Sequence, residues 1–137
     1  GTSDLVRQMA IVNYVPEIIF APSRGGLMLG TMLSHYFTVP LVPFLWQTRD
    51  GDEKDVDFLT KHVNANLDKN ILVVDDICDT GTTFRQIAEL FPKSPNVKSA
   101  TWWWDPYSGF AVDFYAEEKT EDKHSAWIEF PYENWWR

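Results

Sequence analysis

Residues 71–83 of the chain read ILVVDDICDTGTT, and this stretch decides the fold. It opens with four apolar residues in succession, a pattern typical of a strand buried at the centre of a parallel sheet. A polar segment with a glycine at position 81 follows, and after it apolar residues recur at helical spacing. These apolar residues are Phe84, Ile87, Ala88 and Phe91. The stretch is therefore predicted to be a strand, a polar loop and the first turns of a helix.

The same order of strand, loop and helix recurs on both sides of this stretch. Upstream, residues 17–21, which are apolar after Glu17, predict a buried strand that leads through a turn into the helical pattern of residues 27–36. Downstream, further strands are predicted at residues 97–104 and 111–116. This alternation is typical of an α/β fold, here a single domain over residues 1–137 with a central, mostly parallel sheet flanked by helices.

Three other segments complete the predicted organisation. Residues 4–13 have the apolar spacing of a short helix. Residues 39–46 are predicted to form a strand near an edge of the sheet, because Pro40 and Pro43 have no N–H group to donate to a ladder. Residues 48–67 are polar and weakly periodic. We expect a long loop there with no more than one helical turn, and loops of that length are usually functional or disordered.

The composition excludes several classes of protein. The chain has 137 residues and a formal net charge of −8, which argues against binding to nucleic acid or anionic lipid, since both require a basic surface. Its one cysteine, Cys78, allows no internal disulfide that would point to secretion. No apolar run reaches the length of about 18 residues that a membrane span needs. We expect a cytoplasmic protein that binds neither nucleic acid nor membrane.

The loop after the central strand has the residue types of a site for a phosphorylated sugar. Ligands of parallel α/β sheets bind at the carboxyl ends of the strands. Gly81 allows the backbone to approach a ligand closely. Threonine hydroxyls, backbone N–H groups and a helix N-terminus meet there, which suits a monophosphate. The adjacent carboxylates of Asp75 and Asp76 suit two neighbouring hydroxyls, such as those of a ribose. The lack of Gly-Lys-Ser/Thr excludes a Walker loop.

A second polar turn follows the strand predicted at residues 17–21. In Ser23-Arg24-Gly25-Gly26 the glycines expose backbone N–H groups, and Arg24 supplies a fixed cation. By itself such a turn is a weak indication of a binding site. Its distance upstream of the loop at residues 75–83 makes the indication stronger.

The order of apolar strand, two acidic residues, two variable residues and Asp-Thr-Gly-Thr-Thr resembles a known motif. Type I phosphoribosyltransferases use it to bind 5-phosphoribosyl-1-pyrophosphate (PRPP). The resemblance implies that Asp75 and Asp76 bind the ribose hydroxyls, either directly or as ligands of Mg²⁺. It also implies that residues 79–83 wrap the 5-phosphate and that Asp79 acts as general base or acid near N7 of a purine.

The turn at residues 23–26 resembles the pyrophosphate loop of the same family, in which a non-proline cis peptide bond is common. The resemblance implies a catalytic role for Arg24 beside that of Asp79. Residues 48–67 match the family's flexible loop, from which Arg49, Lys54 and Lys61 either meet the pyrophosphate or face solvent. The implied PRPP-binding residues are Ser23, Arg24, Gly25, Gly26, Asp75, Asp76, Asp79, Thr80, Gly81, Thr82 and Thr83.

Residues 127–133, which read WIEFPYE, extend the resemblance to the bacterial xanthine-guanine enzymes of the family. The resemblance implies a small C-terminal hood in which Trp127 stacks on a purine and the backbone at Ile128 hydrogen-bonds the edge of the base. Stacking of an indole on a base contributes about 1–3 kcal/mol. Without the resemblance, Trp127 is interpreted as an ordinary core residue.

Asp105 departs from the family pattern, which has at this position a lysine that contacts the 6-oxo group of the purine. A carboxylate donates to a carbonyl oxygen only when protonated, but it accepts from an exocyclic amine. Asp105 therefore predicts a base-binding role toward a 6-amino purine or an unusual base. In the alternative, Asp105 points to solvent and another group contacts the base. Lys98, Lys119 and Lys123 are candidates for a displaced lysine, but none has the family's spacing.

The implied function is transfer of ribose 5-phosphate from PRPP to a purine, with Mg²⁺ as cofactor, by a homodimer or homotetramer. Two alternatives stay open. One is a PRPP- or nucleotide-binding regulatory protein without turnover, against which the retention of Asp79 and Arg24 argues. The other is a transferase acting on a pyrimidine, which the segment at residues 127–133 disfavours.

Overall fold

The computed structural model describes residues 1–47 and 54–119 of the chain. These residues form five strands, four α-helices and one 3₁₀ turn. In chain order the elements are α1 (Thr2–Ile11), β1 (Ile18–Ser23), α2 (Leu27–Phe37), β2 (Leu41–Leu45), α3 (Val56–Asn64), β3 (Ile71–Cys78), α4 (Thr82–Ala88), β4 (Val97–Trp104), the 3₁₀ turn (Pro106–Ser108) and β5 (Phe114–Glu118).

The five strands form one sheet in the order β2-β1-β3-β4-β5, and every neighbouring pair is parallel. From β1 the chain passes through α2 to β2 on one side, and it then returns through α3 to β3 on the other side of β1. The carboxyl ends of β1 and β3 therefore flank the point at which the strand order reverses. Open α/β sheets bind their ligands at this point.

Two apolar layers, one on each face of the sheet, form the core. One layer contains buried residues of α1 and α2, namely Leu5, Met9, Leu29 and Leu33. The other contains buried residues of α3 and α4, namely Leu59, Val63, Phe84 and Ile87. Because successive strand residues point to opposite faces, β3 contributes Val73 to one layer and Val74 to the other. This double burial explains why the strand begins with an uninterrupted apolar run.

The predicted fold class is confirmed, and most elements lie close to their predicted positions. β4 has the predicted bounds, and β2 lies at an edge of the sheet, as its prolines indicate. β3 is longer than its apolar run, because it continues through the acidic pair to Cys78. β5 lies at Phe114–Glu118, later than the predicted residues 111–116. Within the described part of the chain, no helix is long and apolar enough to cross a membrane.

The prediction of a long loop at residues 48–67 is wrong over Val56–Asn64, which form α3. Asp55 caps this helix, because its carboxylate accepts a hydrogen bond from the N–H of Phe58 at 3.2 Å. Leu59 and Val63, one helical turn apart, are buried. These are the only two buried residues of α3, and the charged residues around them obscure the helical spacing in the sequence. Residues 48–53 and the predicted hood, residues 120–137, lie outside the described residues.

Candidate functional site

Two glycines allow the turn after β1 to lie against the acidic pair of β3. A Cβ atom on Gly25 would lie 2.8 Å from Oδ1 of Asp75 and 2.9 Å from Oδ1 of Asp76. A Cβ atom on Gly26 would lie 2.5 Å from the carbonyl oxygen of Val74. Real Cβ atoms essentially never approach other atoms closer than 3.0 Å, so a side chain at position 26 would clash with backbone, and one at position 25 would displace the two carboxylates. The structure thus places the predicted pyrophosphate loop directly beside Asp75 and Asp76.

The turn has the backbone geometry that the family resemblance implies. The peptide bond between Ser23 and Arg24 is cis, which confirms that expectation. The N–H of Gly26 donates to the Pro22 oxygen at 3.0 Å, and the N–H of Leu27 donates to the Arg24 oxygen at 3.1 Å. These bonds close the turn onto the start of α2. Arg24 is exposed at this edge of the sheet.

Asp75 and Asp76 are buried, with 8% of each residue exposed. Oδ1 of Asp75 accepts from the N–H of Asp76 at 2.9 Å, and Oδ1 of Asp76 accepts from the N–H of Ile77 at 2.8 Å. These bonds fix the orientation of two carboxylates, the ligand type that Mg²⁺ prefers. The described residues contain no group of three or more potential metal ligands. A cation held by this pair would therefore take its remaining ligands from substrate oxygens and water.

Gly81, in the loop between β3 and α4, has a left-handed backbone with φ of 77°. A Cβ atom there would lie 2.6 Å from Nη1 of Arg85 and 2.9 Å from the Ser108 oxygen, so glycine is needed for space as well as for φ. Arg85 donates from Nη2 to the Thr80 oxygen at 2.8 Å and from Nη1 to the Ser108 oxygen at 2.7 Å. The guanidinium group thus ties the loop to the 3₁₀ turn. Sequence analysis missed Arg85, which lies beyond the recognised motif.

Two threonine hydroxyls lie together where α4 begins, and Thr83 follows them in the chain. Oγ1 of Thr80 and Oγ1 of Thr82 are 3.0 Å apart, and the N–H of Thr82 donates to Oγ1 of Thr80 at 3.3 Å. Thr80 is exposed, and Thr82 and Thr83 are partly exposed. The predicted phosphate loop therefore presents hydroxyl and N–H groups at an accessible surface, which suits a phosphate group.

Asp79, the residue after β3, forms an ion pair that sequence analysis did not predict. Its Oδ1 accepts from Nζ of Lys119 at 2.9 Å. The Lys119 side chain is fully buried, whereas 30% of the Asp79 side chain is exposed. From the sequence, Lys119 is only a candidate for a displaced lysine. Because the two residues are 40 positions apart, no local pattern connects them.

Asp105 is fully buried, so the expectation that it points to solvent is wrong, while contact of another group with the base stays an open alternative. Its Oδ1 accepts from the N–H of Tyr107 at 2.8 Å, and its carbonyl oxygen accepts from the N–H of Ser108 at 2.9 Å. Asp105 is thus the N-cap of the 3₁₀ turn. The carboxylate has this structural role whatever base the site accepts. A contact between Asp105 and the base stays a prediction.

The remaining predicted residues lie elsewhere. The base-binding candidates Trp127 and Ile128 are outside the described residues, as is Arg49. Lys61 is exposed on α3, and Lys54 is partly buried beside Trp46, with which it forms an isolated antiparallel bridge. A cavity of about 220 Å³ lies between α4 and β4; Lys98 lines it, but none of the predicted PRPP-binding residues does.

Both the sequence and the structure are similar to those of known phosphoribosyltransferases. The sequence matches the phosphoribosyl transferase domain family over residues 3–133. A xanthine-guanine phosphoribosyltransferase from Idiomarina loihiensis is 32% identical over 136 residues, which are 97% of this chain and 80% of that protein. The structure of a Helicobacter pylori xanthine-guanine-hypoxanthine phosphoribosyltransferase matches with a TM-score of 0.68 and 22% identity, over 97% of this chain and 86% of that one. A purine phosphoribosyltransferase from Pyrococcus horikoshii matches with a TM-score of 0.66 and 23% identity, over 85% and 78% of the two chains.

Proposed function

Because this chain belongs to the phosphoribosyl transferase domain family, we propose that it transfers ribose 5-phosphate from PRPP to a purine base and releases pyrophosphate. The observation that carries the proposal is the close approach of Gly25 to Asp75 and Asp76. It brings an arginine-containing turn and a carboxylate pair together, next to a threonine-rich loop. These three parts match the pyrophosphate, the ribose hydroxyls and the 5-phosphate of one PRPP molecule.

In the transfer, a ring nitrogen of the base forms a bond to C1′ of the ribose as the bond from C1′ to the pyrophosphate oxygen breaks. The electron pair of the broken bond leaves with pyrophosphate, and the ring nitrogen gives up its proton. We assign Asp79 as the acceptor of that proton, because its carboxylate is partly exposed while Asp75 and Asp76 are buried. Arg24 and the N–H groups of its loop would stabilise the charge that develops on the leaving group.

Asp75 and Asp76 would hold Mg²⁺ or bind the ribose hydroxyls directly. The bound cation would neutralise part of the charge of PRPP, which matters in a chain of net charge −8. The bonds that fix both carboxylates to their own backbone keep them in place before the ligand arrives. The protein then loses little freedom on binding, which favours affinity.

The names of the relatives support a purine as the acceptor. The Idiomarina loihiensis and Helicobacter pylori proteins are named for transfer to xanthine and guanine, and the latter also for hypoxanthine. Asp105, in place of the family's lysine at the 6-oxo group, supports a base with an amine at the 6-position, since a carboxylate accepts from an amine. We propose adenine or a 2,6-diaminopurine as the preferred acceptor.

An exposed apolar stripe on α2 supports a homodimer or homotetramer, which we place in the cytoplasm. The stripe consists of Met28, Met32 and Tyr36, which recur at every fourth position of the helix. They are 43%, 45% and 63% exposed. Large exposed apolar patches are typical of contacts between proteins. We call these three residues the α2 stripe.

Pyrophosphate release from PRPP and Mg²⁺ tests the proposed function, with adenine, 2,6-diaminopurine, guanine, hypoxanthine and xanthine offered one at a time. We expect release with at least one base, its loss when Mg²⁺ is chelated, and a decrease of about a hundredfold or more in Asp79→Asn. Asp113→Asn is the control, because Asp113 accepts from Ser99 near the start of β4, far from the loops. Binding of PRPP without release for any base would replace transfer by a regulatory role.

A further inference from the structure

Three neighbouring strands end side by side at the edge of the sheet that carries the site. The N–H of Asp105 donates to the Cys78 oxygen at 2.9 Å, and the N–H of Lys119 donates to the Trp104 oxygen at 2.9 Å. β3, β4 and β5 are therefore joined up to their last residues. Asp79, Asp105 and Lys119, each the first residue after one of these strands, lie along one edge although they are far apart in sequence.

Of the two paired side chains, solvent reaches only that of Asp79. The lysine side chain has no exposed surface, while 30% of the Asp79 side chain is exposed. A ligand that enters from solvent therefore meets the carboxylate and not the ammonium group. Lys119 would act on such a ligand through Asp79.

The bond to Trp104 holds the backbone of Lys119 in place, and complete burial restricts the conformations that its side chain can adopt. The ammonium group binds Oδ1 of Asp79 at 2.9 Å. Among the described residues, this is the one hydrogen bond that the Asp79 side chain receives. Without it, the carboxylate of a loop residue would be free to rotate about its side-chain bonds.

A buried ion pair adds little to stability, because the cost of removing both charges from water offsets their attraction. What this pair can supply instead is a fixed geometry. A fixed geometry matters most for a group that must meet one atom of a substrate, since a displacement of about 1 Å costs up to a hundredfold in rate.

We infer that Lys119 is a positioning residue, which fixes the orientation in which the Asp79 carboxylate meets the acceptor base. The inference rests on the proposed function, because it gives Asp79 a substrate to meet. It differs from the displaced-lysine hypothesis, in which Lys119 itself would contact the base and select among purines.

A double-mutant cycle between Lys119→Met and Asp79→Asn tests the inference, with single-turnover pyrophosphate release as the readout. We expect Lys119→Met to lower the rate by about tenfold to a hundredfold for every accepted base, with the KM for PRPP unchanged. In the Asp79→Asn background the same substitution should change the rate by less than about twofold. Lys69→Met is the control, since Lys69 precedes β3 at the end of the strand opposite to Asp79 and should leave the rate unchanged.

Two results would overturn the inference. An equal loss in both backgrounds would show that Lys119 acts independently of Asp79, and a changed preference between 6-oxo and 6-amino purines would show that it contacts the base. Lys119→Gln, which keeps an N–H donor, should give an intermediate rate, and it serves if Lys119→Met does not fold. Pyrophosphate release by the wild-type chain tests the proposed function separately. If the wild type is active but the effects of Lys119→Met and Asp79→Asn simply add, only the role of Lys119 is refuted.

Discussion

At the scale of a single residue, burial decides what Cys78 can do. It ends β3 immediately before Asp79, and only 1% of it is exposed. Burial disfavours the thiolate and raises the pKa of Cys78 to about 11, although the Ser108 hydroxyl 3.6 Å from Sγ acts in the lowering direction. Since the thiolate is the reactive form, Cys78 is a packing residue and not a nucleophile.

We therefore expect the native protein to react slowly with a coloured thiol reagent at about pH 8. Cys78 is the one cysteine of the chain, so the absorbance change reports on it alone, and the protein unfolded in guanidinium chloride should label at once. Because the folded pKa lies above the ordinary value of 9.0, this thiol contributes stability that is complete below pH 9 and declines as the pH rises towards 11. Rapid stoichiometric labelling of the native protein would contradict the burial.

At the scale of an element, the 3₁₀ turn after β4 depends on its cap. Asp105 accepts from the N–H of Tyr107, and Pro106 at the first position of the turn suits its backbone. Arg85 binds the Ser108 oxygen at the other end of the turn. The turn therefore supports the phosphate loop, because the same guanidinium group also binds the Thr80 oxygen.

We expect Asp105→Ala to lower the free energy of unfolding by about 1–3 kcal/mol, because it leaves the Tyr107 N–H without its acceptor. Asp105→Asn should cost less than half as much, since an asparagine also caps. Asp55→Ala is the matched control: it removes the cap of α3 at an exposed position and should cost about 1 kcal/mol. Chemical denaturation measures all three.

The same Asp105→Asn variant tests the contact with the base, since an amide nitrogen donates where a carboxylate only accepts. If Asp105 contacts an exocyclic amine, the ratio of rates between 6-amino and 6-oxo purines should fall although the protein remains folded. An unchanged ratio would limit Asp105 to its capping role.

The elements also show which parts of the site could be predicted. β3, the glycines of both loops and the acidic pair follow from local patterns, because each depends on neighbours within a few residues. The pairing of Asp79 with Lys119 depends on the order of β3, β4 and β5, which no local pattern contains. The sequence does not predict α3 for a related reason. Its buried face consists of Leu59 and Val63 alone, and charged residues surround them.

At the scale of the whole molecule, the net charge and the exposed apolar surface have opposite effects on association between copies of the chain. A net charge of −8 keeps copies of the chain apart at long range, while the α2 stripe favours their contact. Salt shortens the range of the repulsion to about 8 Å at physiological ionic strength. Association through the stripe should therefore be favoured as the salt concentration rises.

We expect Met32→Lys, in the middle of the α2 stripe, to lower the molar mass measured by light scattering from that of a dimer or tetramer towards that of one chain. A lysine there places a charge in an apolar contact, where it has no partner among the stripe residues and its desolvation is unfavourable. Leu67→Lys is the control, because Leu67 is similarly exposed at 54% but follows α3, away from the stripe. The same mass for wild type and Met32→Lys would show that the stripe does not hold the oligomer. A monomeric wild type at all salt concentrations would refute the homo-oligomer itself, and the exposed methionines would then be a surface feature of a single chain.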